Sequence, residues 1–349
     1  LKVRPIVCPS SIIWFDQEPL YANSVLETSL GRPPSKLLTF YRYKKTLSSY
    51  SLDIFANSEV SDFKNKILDD LKLRDWYYFS HGFLALHWFR DVRYLPCNKS
   101  ASFDKVFIMY NHLTAKYRSY RLGIIADIMS RGLLDRGLIS LPLIDQYHGS
   151  FMNEIFDTNS LLDLEHKKMA VTTIKKLDSP LVIDYEDING TFSANLNLEV
   201  NQRAFWHVVS ETNFYLDKLH LTEKIFKPIV SYRPFILACA PGNLKYLRSY
   251  GFKTFGDFID ESYDDETDSA KRMFMIVDEI EKLCKLTPSQ QRDMFEAMKP
   301  ILEHNFNHFY GKFKKIIVDE MVYGFGECID GAIDDSAIDY AAVAQRLAQ

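Results

Sequence analysis

Two kinds of apolar pattern alternate along the chain. Short unbroken runs rich in β-branched and aromatic residues predict buried strands. They fall at Ser11–Phe15, Lys36–Tyr41, Ser51–Phe55, Lys105–Tyr110 and Leu138–Leu141, then at Leu181–Asp184, Phe205–Val209 and Pro234–Cys239. Between them, apolar residues recur at three- and four-residue spacing, which predicts helices. Asp62–Arg74 carries Phe63, Ile67 and Leu71, and Leu113–Arg131 carries Tyr117, Tyr120, Ile124, Ile125 and Ile128 on one side. Further helices are predicted over Thr222–Val230, over Asn243–Tyr250 after the Pro241-Gly242 turn, and over Ala270–Leu286 and Pro288–Val322.

Strand and helix alternate twice over. The expected class is therefore α/β, with two doubly wound, Rossmann-like domains facing each other across a cleft. The polar, mixed stretch from Gly149 to Lys176 sets the expected boundary: residues 1–165, residues 166–329 with closing helices, and an acidic, Ala-rich tail over 330–349. Asp257–Asp268 reads as a solvent-exposed acidic loop or helix entry.

A chain of 349 residues accommodates two such domains, and its hydrophobic share of 47% excludes wholesale disorder. No apolar run is long enough to span a bilayer, and no N-terminal stretch has signal-peptide form. The chain opens on Leu1, so a leader ahead of it would not be seen. Five scattered cysteines without Cys-x-x-Cys spacing read as reduced thiols, and the expected location is cytoplasmic. Charge is uneven. Residues 1–150 hold 20 of the 42 basic and 14 of the 46 acidic residues, a net of +6; the remainder, 22 against 32, is net −10. The first half is the better face for an anionic partner.

Candidate chemistry concentrates in Ser210–Pro228. Glu211 follows the predicted Phe205–Val209 strand, and Thr222, Glu223 and Lys224 open the next helix, with Lys227 one turn on. A strand end feeding a helix start, with carboxylates for ribose hydroxyls and cations for phosphates, suits a nucleoside diphosphate. Arg118 and Arg121 lie three apart on a predicted helix, a spacing that would set two guanidinium groups side by side for the same diphosphate. In the first half, Glu18 sits before Pro19 after the Ser11–Phe15 strand and is a candidate general base, with Asp16 the competing carboxylate. The chain has no Gly-x-Gly-x-x-Gly, no P-loop and no Asp-x-Asp. No metal and no cofactor is expected beyond a nucleotide sugar as substrate.

These motifs resemble the fucosyltransferase family, glycosyltransferase family 10. The resemblance rests on Val209–Asn213 followed by His220–Lys224, on Tyr232–Ile236 and Ala240–Gly242 downstream, and on Trp14–Pro19, Phe79–Phe83 and Arg93–Pro96 upstream. The chain departs from the family in a longer interval between Glu18 and Arg93, and in His220 where an aromatic is usual. Its phrase Arg131–Asp135 is closer to phage and large-virus relatives, which would place the protein in a host cytoplasm. The resemblance implies a GT-B fold and an inverting, metal-independent transfer from a nucleotide-diphosphate sugar, a GDP-fucose-like donor being one candidate. It implies Glu18 as base, Lys224 and Arg118 (then Arg121) on the diphosphate, Glu223 on the ribose, and Glu211 holding the nucleotide or orienting Lys224. Thr222 and Lys227 belong to the same donor-binding set. The first expectation for the acceptor is a glycan. The alternatives are DNA bearing hydroxymethylated pyrimidines, contacted through Lys44, Lys45, Lys64, Lys66, Arg90 and Arg93, and a non-catalytic nucleotide- or carbohydrate-binding module.

Overall fold

A computed structural model describes residues 11–16, 52–71, 73–92, 97, 99–145, 148–183 and 194–328. Glu18, the Lys36–Tyr41 strand, Lys44, Lys45, Arg93–Pro96 and the tail lie outside the described residues. The chain divides into two compact units, one of Leu1–His81 with Lys315–Gln349 and one of Gly82–Lys314.

The first unit holds a parallel sheet of β1 (Ser11–Asp16), β2 (Leu52–Asn57) and β3 (Arg74–Tyr77), in that order. Helix α1 (Asp62–Leu71) connects β2 to β3, as parallel pairing requires a crossover. The predicted helix stops three residues short of Arg74, because Arg74–Tyr77 is needed as a strand beside β2. Ile54, Ala56 and Trp76 form its core. The C-terminal part of a late helix, α11 (Phe313–Cys328), completes this core: Trp76 Nε1 donates to the Met321 carbonyl at 3.0 Å, and the Phe325 ring lies 4.8 Å from Trp76. Gly324 permits that approach, since a Cβ there would lie 2.8 Å from the Tyr77 carbonyl.

The second unit is built on a parallel sheet of order β5-β4-β8-β9, from β4 (Lys105–Met109), β5 (Gly137–Ile139), β8 (Ala204–Ser210) and β9 (Phe235–Ala238). A two-residue antiparallel pair, β6 (Ile144–Asp145) with β7 (Gly149–Ser150), lies outside it. All seven residues of β8 are buried, the composition of a central parallel strand covered on both faces. The chain runs from β4 outward to β5, then returns to β8 on the other side of β4 and continues to β9. The order reverses between β4 and β8, and at such a switch point ligands lie beyond the strand C-termini. The expected boundary near residue 165 falls inside this unit, because strands from both sides of it share the sheet.

Four readings of the sequence need correction. The helix expected over Leu113–Arg131 is broken, because Lys116 has φ 58 and a left-handed residue cannot propagate an α-helix. A 3-10 turn, Lys116–Arg118, precedes α3 (Tyr120–Ser130), whose residues from Tyr120 to Ile128 are all buried rather than amphipathic. Helix α3 packs against α5 (Leu164–Thr172) and α9 (Ser269–Lys285), and α4 (Phe151–Phe156) also occupies the stretch expected to be irregular. The acidic segment is not simply solvated: Asp264 accepts from Leu244 N at the start of α8 (Asn243–Ser249), and Glu261 accepts from Phe255 N. Near the C-terminus, the single predicted helix is two. A capping box of Thr287 and Gln290 starts α10 (Pro288–Tyr310), and Gly311 separates it from α11. Among the described residues no helix is long and apolar enough to cross a membrane.

Gly137 tests the sheet register. It pairs with Phe107, and a Cβ on it would lie 2.4 Å from that ring. Gly137→Ala is expected to lower stability by about 1–3 kcal/mol in thermal or urea unfolding, and Phe107→Leu in the same chain to restore part of the loss.

Candidate functional site

The site is assembled where β8 ends. Glu211 is wholly buried, and its backbone N–H donates to Ala238 at the end of β9. Its carboxylate accepts three hydrogen bonds: Thr222 N to Oε1 at 3.1 Å, and Thr222 Oγ1 at 2.6 Å and Thr212 N at 3.3 Å to Oε2. Thr222 caps the 3-10 turn Glu223–Ile225 that leads into α7 (Phe226–Val230). Its hydroxyl donates to Glu211 and accepts from Lys224 Nζ at 3.0 Å and Lys224 N at 3.4 Å. A hydroxyl has one donor and two lone pairs, so this one is saturated. Lys224 Nζ also donates to Thr212 Oγ1 at 3.3 Å and lies 3.8 Å from the Glu223 carboxylate. The Lys224 side chain is 33% exposed. Two of the three ammonium donors go to threonine hydroxyls, and the Glu223 carboxylate lies within ion-pair distance of the same ammonium.

Glu211, Thr222, Glu223 and Lys224 are thus brought into one network, from a stretch of fourteen residues folded onto itself. Lys227 is turned to another partner, donating to the Asn195 carbonyl at 2.9 Å. Arg118 and Arg121 are not a matched pair. The Arg118 guanidinium lies over the Tyr117 ring, 4.5 Å from its centroid, whereas Arg121 is buried. Arg121 Nη1 donates to the Leu113 carbonyl at 2.8 Å, and Nη2 to the Ser210 and Glu211 carbonyls at 2.9 and 3.0 Å. The shift in element start caused by Lys116 separates their roles: Arg118 closes the 3-10 turn and Arg121 enters the helix that packs inside. Asp16 ends β1. Of the cations proposed to meet DNA, Lys64 is buried and paired with Asp75 at 2.7 Å.

Several residues that shape the site were not singled out from sequence. Tyr120 donates to the Glu211 carbonyl at 2.5 Å and stacks on Phe214 at 4.1 Å; burial pushes its phenol up to about 12. Asn243 ties the loop between Glu211 and Thr222 to the turn after β9, donating to the Lys218 and Ala240 carbonyls and accepting from His220 N. Gly242, at φ 79, makes the turn that brings Asn243 there. On the same loop Lys218 is buried, and desolvation pushes its amine down to about 6. A Pro-Gly turn announces Gly242, but nothing in the spacing marks Tyr120 or Lys218.

Comparison with protein-family models, curated proteins and solved structures finds no match to the chain.

Two expectations follow from this geometry. Thr222→Val leaves the buried Glu211 carboxylate and Lys224 each short of a partner and is expected to cost about 2 kcal/mol or more in unfolding experiments, while Thr222→Ser retains most of the stability. Burial disfavours the charged form of Lys218. Its pKa falls from 10.5 to about 6, so its contribution to stability is greatest above 10.5 and is lost as pH falls toward 6. Lys218→Met is therefore expected to raise the melting temperature near pH 7, with the gain shrinking as pH approaches 10.5.

Proposed function

We propose that this protein is a glycosyltransferase of the inverting, GT-B kind, moving a sugar from a nucleotide-diphosphate sugar to an acceptor hydroxyl. The observation that carries the reading is the Glu211–Thr222–Lys224 network. It holds a partly exposed ammonium beyond the C-terminal end of the strand beside the switch point of a doubly wound sheet. The same residues carry the resemblance to the fucosyltransferase family.

In this reading Lys224 meets the diphosphate, with Arg118 as its second cation and Glu223 on the ribose. The glycosidic bond to the diphosphate breaks through an oxocarbenium-like state while the acceptor oxygen loses its proton to a carboxylate base. Negative charge grows on the leaving diphosphate, and a cation already fixed there stabilises that charge without reorganising. Arg121, being committed to carbonyls, is not assigned to the phosphates. Glu18 is the assigned base, on the resemblance alone. A glycan hydroxyl is the proposed acceptor; the burial of Lys64 removes one of the phosphate contacts that a DNA acceptor would use.

The test is a panel of nucleotide sugars scored for thermal shift, hydrolysis and transfer. Glu18→Gln is expected to abolish transfer and keep nucleotide binding, and Lys224→Ala to lose both. Near-normal turnover in Glu18→Gln would transfer the role of base to another group, Asp16 first. No binding of any nucleotide sugar by the wild type would overturn the reading in favour of a protein with another ligand.

A further inference from the structure

We infer that Arg121 is a positioning residue for the diphosphate site: it acts on the ligand through Glu211, Thr222 and Lys224 rather than by touching it. The inference rests on the nucleotide-sugar reading of that site and goes beyond it, because it names what holds the cation in place.

Arg121 is 3% exposed. A buried guanidinium normally meets a carboxylate or phosphate, and here its hydrogen-bond partners are a phenol oxygen and backbone carbonyls. Those carbonyls belong to two different segments. Leu113 lies in the loop after β4, and Ser210 and Glu211 close β8, so the one side chain bridges the two sides of the switch point. A planar fork with five donors can do this; a lysine ammonium, a single point on a flexible stem, cannot span both.

What the bridge fixes is the backbone of Glu211. Tyr120, the residue before Arg121, donates to the same Glu211 carbonyl, and the Glu211 N–H is held by Ala238. The Glu211 backbone is held at both polar groups, and its carboxylate accepts from Thr222 N and Oγ1 and from Thr212 N. Thr222 in turn accepts from Lys224 Nζ. The order of dependence is therefore Arg121, Glu211, Thr222, Lys224, each link a hydrogen bond and each but the last buried.

The chain of dependence makes a claim about non-additivity. If Arg121 acts only through Lys224, then removing Lys224 removes the reason Arg121 matters to the ligand. The experiment measures dissociation constants for whichever of ADP, GDP and UDP binds the wild type, together with the parent nucleoside, in four proteins: wild type, Arg121→Met, Lys224→Ala and the double variant. Arg121→Met is expected to weaken the diphosphate about tenfold while leaving the nucleoside within about twofold, and to have no further effect in the Lys224→Ala background. Arg121→Lys, which keeps the charge and loses the bridge, is expected to fall between wild type and Arg121→Met, and it carries the same cycle if Arg121→Met does not fold. An unchanged diphosphate affinity in a folded variant overturns the inference. So does an equal loss for nucleoside and diphosphate, which marks a general structural role, and so does a loss that persists without Lys224, which marks direct contact with phosphate. If the wild type binds none of the three diphosphates, the nucleotide-sugar reading itself fails and the inference falls with it, a result distinct from the other three.

Discussion

A carbonyl at the end of a central parallel strand has no ladder partner beyond it, and if it is buried it must find a donor elsewhere. In the second unit that requirement is met by guanidinium groups. Arg121 takes the carbonyls at the C-terminal end of β8, and Arg233 takes Ala204 and Gln202 at its N-terminal end, with Ser102 and Tyr232 beside them. Arg272 donates to the Phe214 and Glu266 carbonyls. Each is almost wholly buried, and desolvation pulls the Arg233 guanidinium down to about 10. Several carbonyl dipoles converging on each cation offset that desolvation, because a polar group buried without a partner costs more than one exchanged from water. The central strand is thereby gripped at both ends, and the edge that carries Glu211 inherits its geometry from that grip.

Rigidity at this edge has a bearing on chemistry. The loop after β8 is held from two sides, by Ser119, Tyr120 and Arg121 from one and by Arg272 from the other; Tyr215 and Ser119 hydroxyls meet at 2.8 Å, and the Arg272 guanidinium lies 4.3 Å from the Phe214 centroid. A cation seated on such a loop has lost its freedom before any ligand arrives. Electrostatic stabilisation is most effective in that state, since no binding energy is diverted to ordering the stabilising group.

Much of the second unit was legible in the chain. Strands β4, β8 and β9 are continuous apolar runs bounded by polar residues, and α8 to α10 carry clear start signals in Gly242, Asp268 and Thr287. The Glu211–Lys224 network was legible in its members, because carboxylate and lysine flank a strand end and a helix start. Its wiring was not. Arg121 looked like a diphosphate-facing partner of Arg118, since nothing local reveals that Lys116 turns left-handed and that Arg121 enters a buried helix. That turn is supported from residues far ahead in sequence, with the Lys116 N–H on Glu154 and its ammonium on Asp157. The acidic segment was misjudged for a related reason: Asp264 and Glu261 satisfy backbone groups that only the folded chain brings to them. The extent of the sheet escaped a local reading too, because a strand does not announce which distant strand it will pair with.

The closure of the first unit's core by α11 sets an order of events during synthesis. Trp76 and Met321, which share a hydrogen bond, are separated by 245 residues. At ordinary rates of translation that separation is tens of seconds. Throughout it, β3 is made but Trp76 lacks the helix that covers it, and the Phe79 N–H lacks the Glu320 carboxylate that receives it. The whole sequence of the second unit emerges in the interval. The part of the chain made first is thus among the last to be sealed, and Trp76 waits for its cover until the closing helix appears.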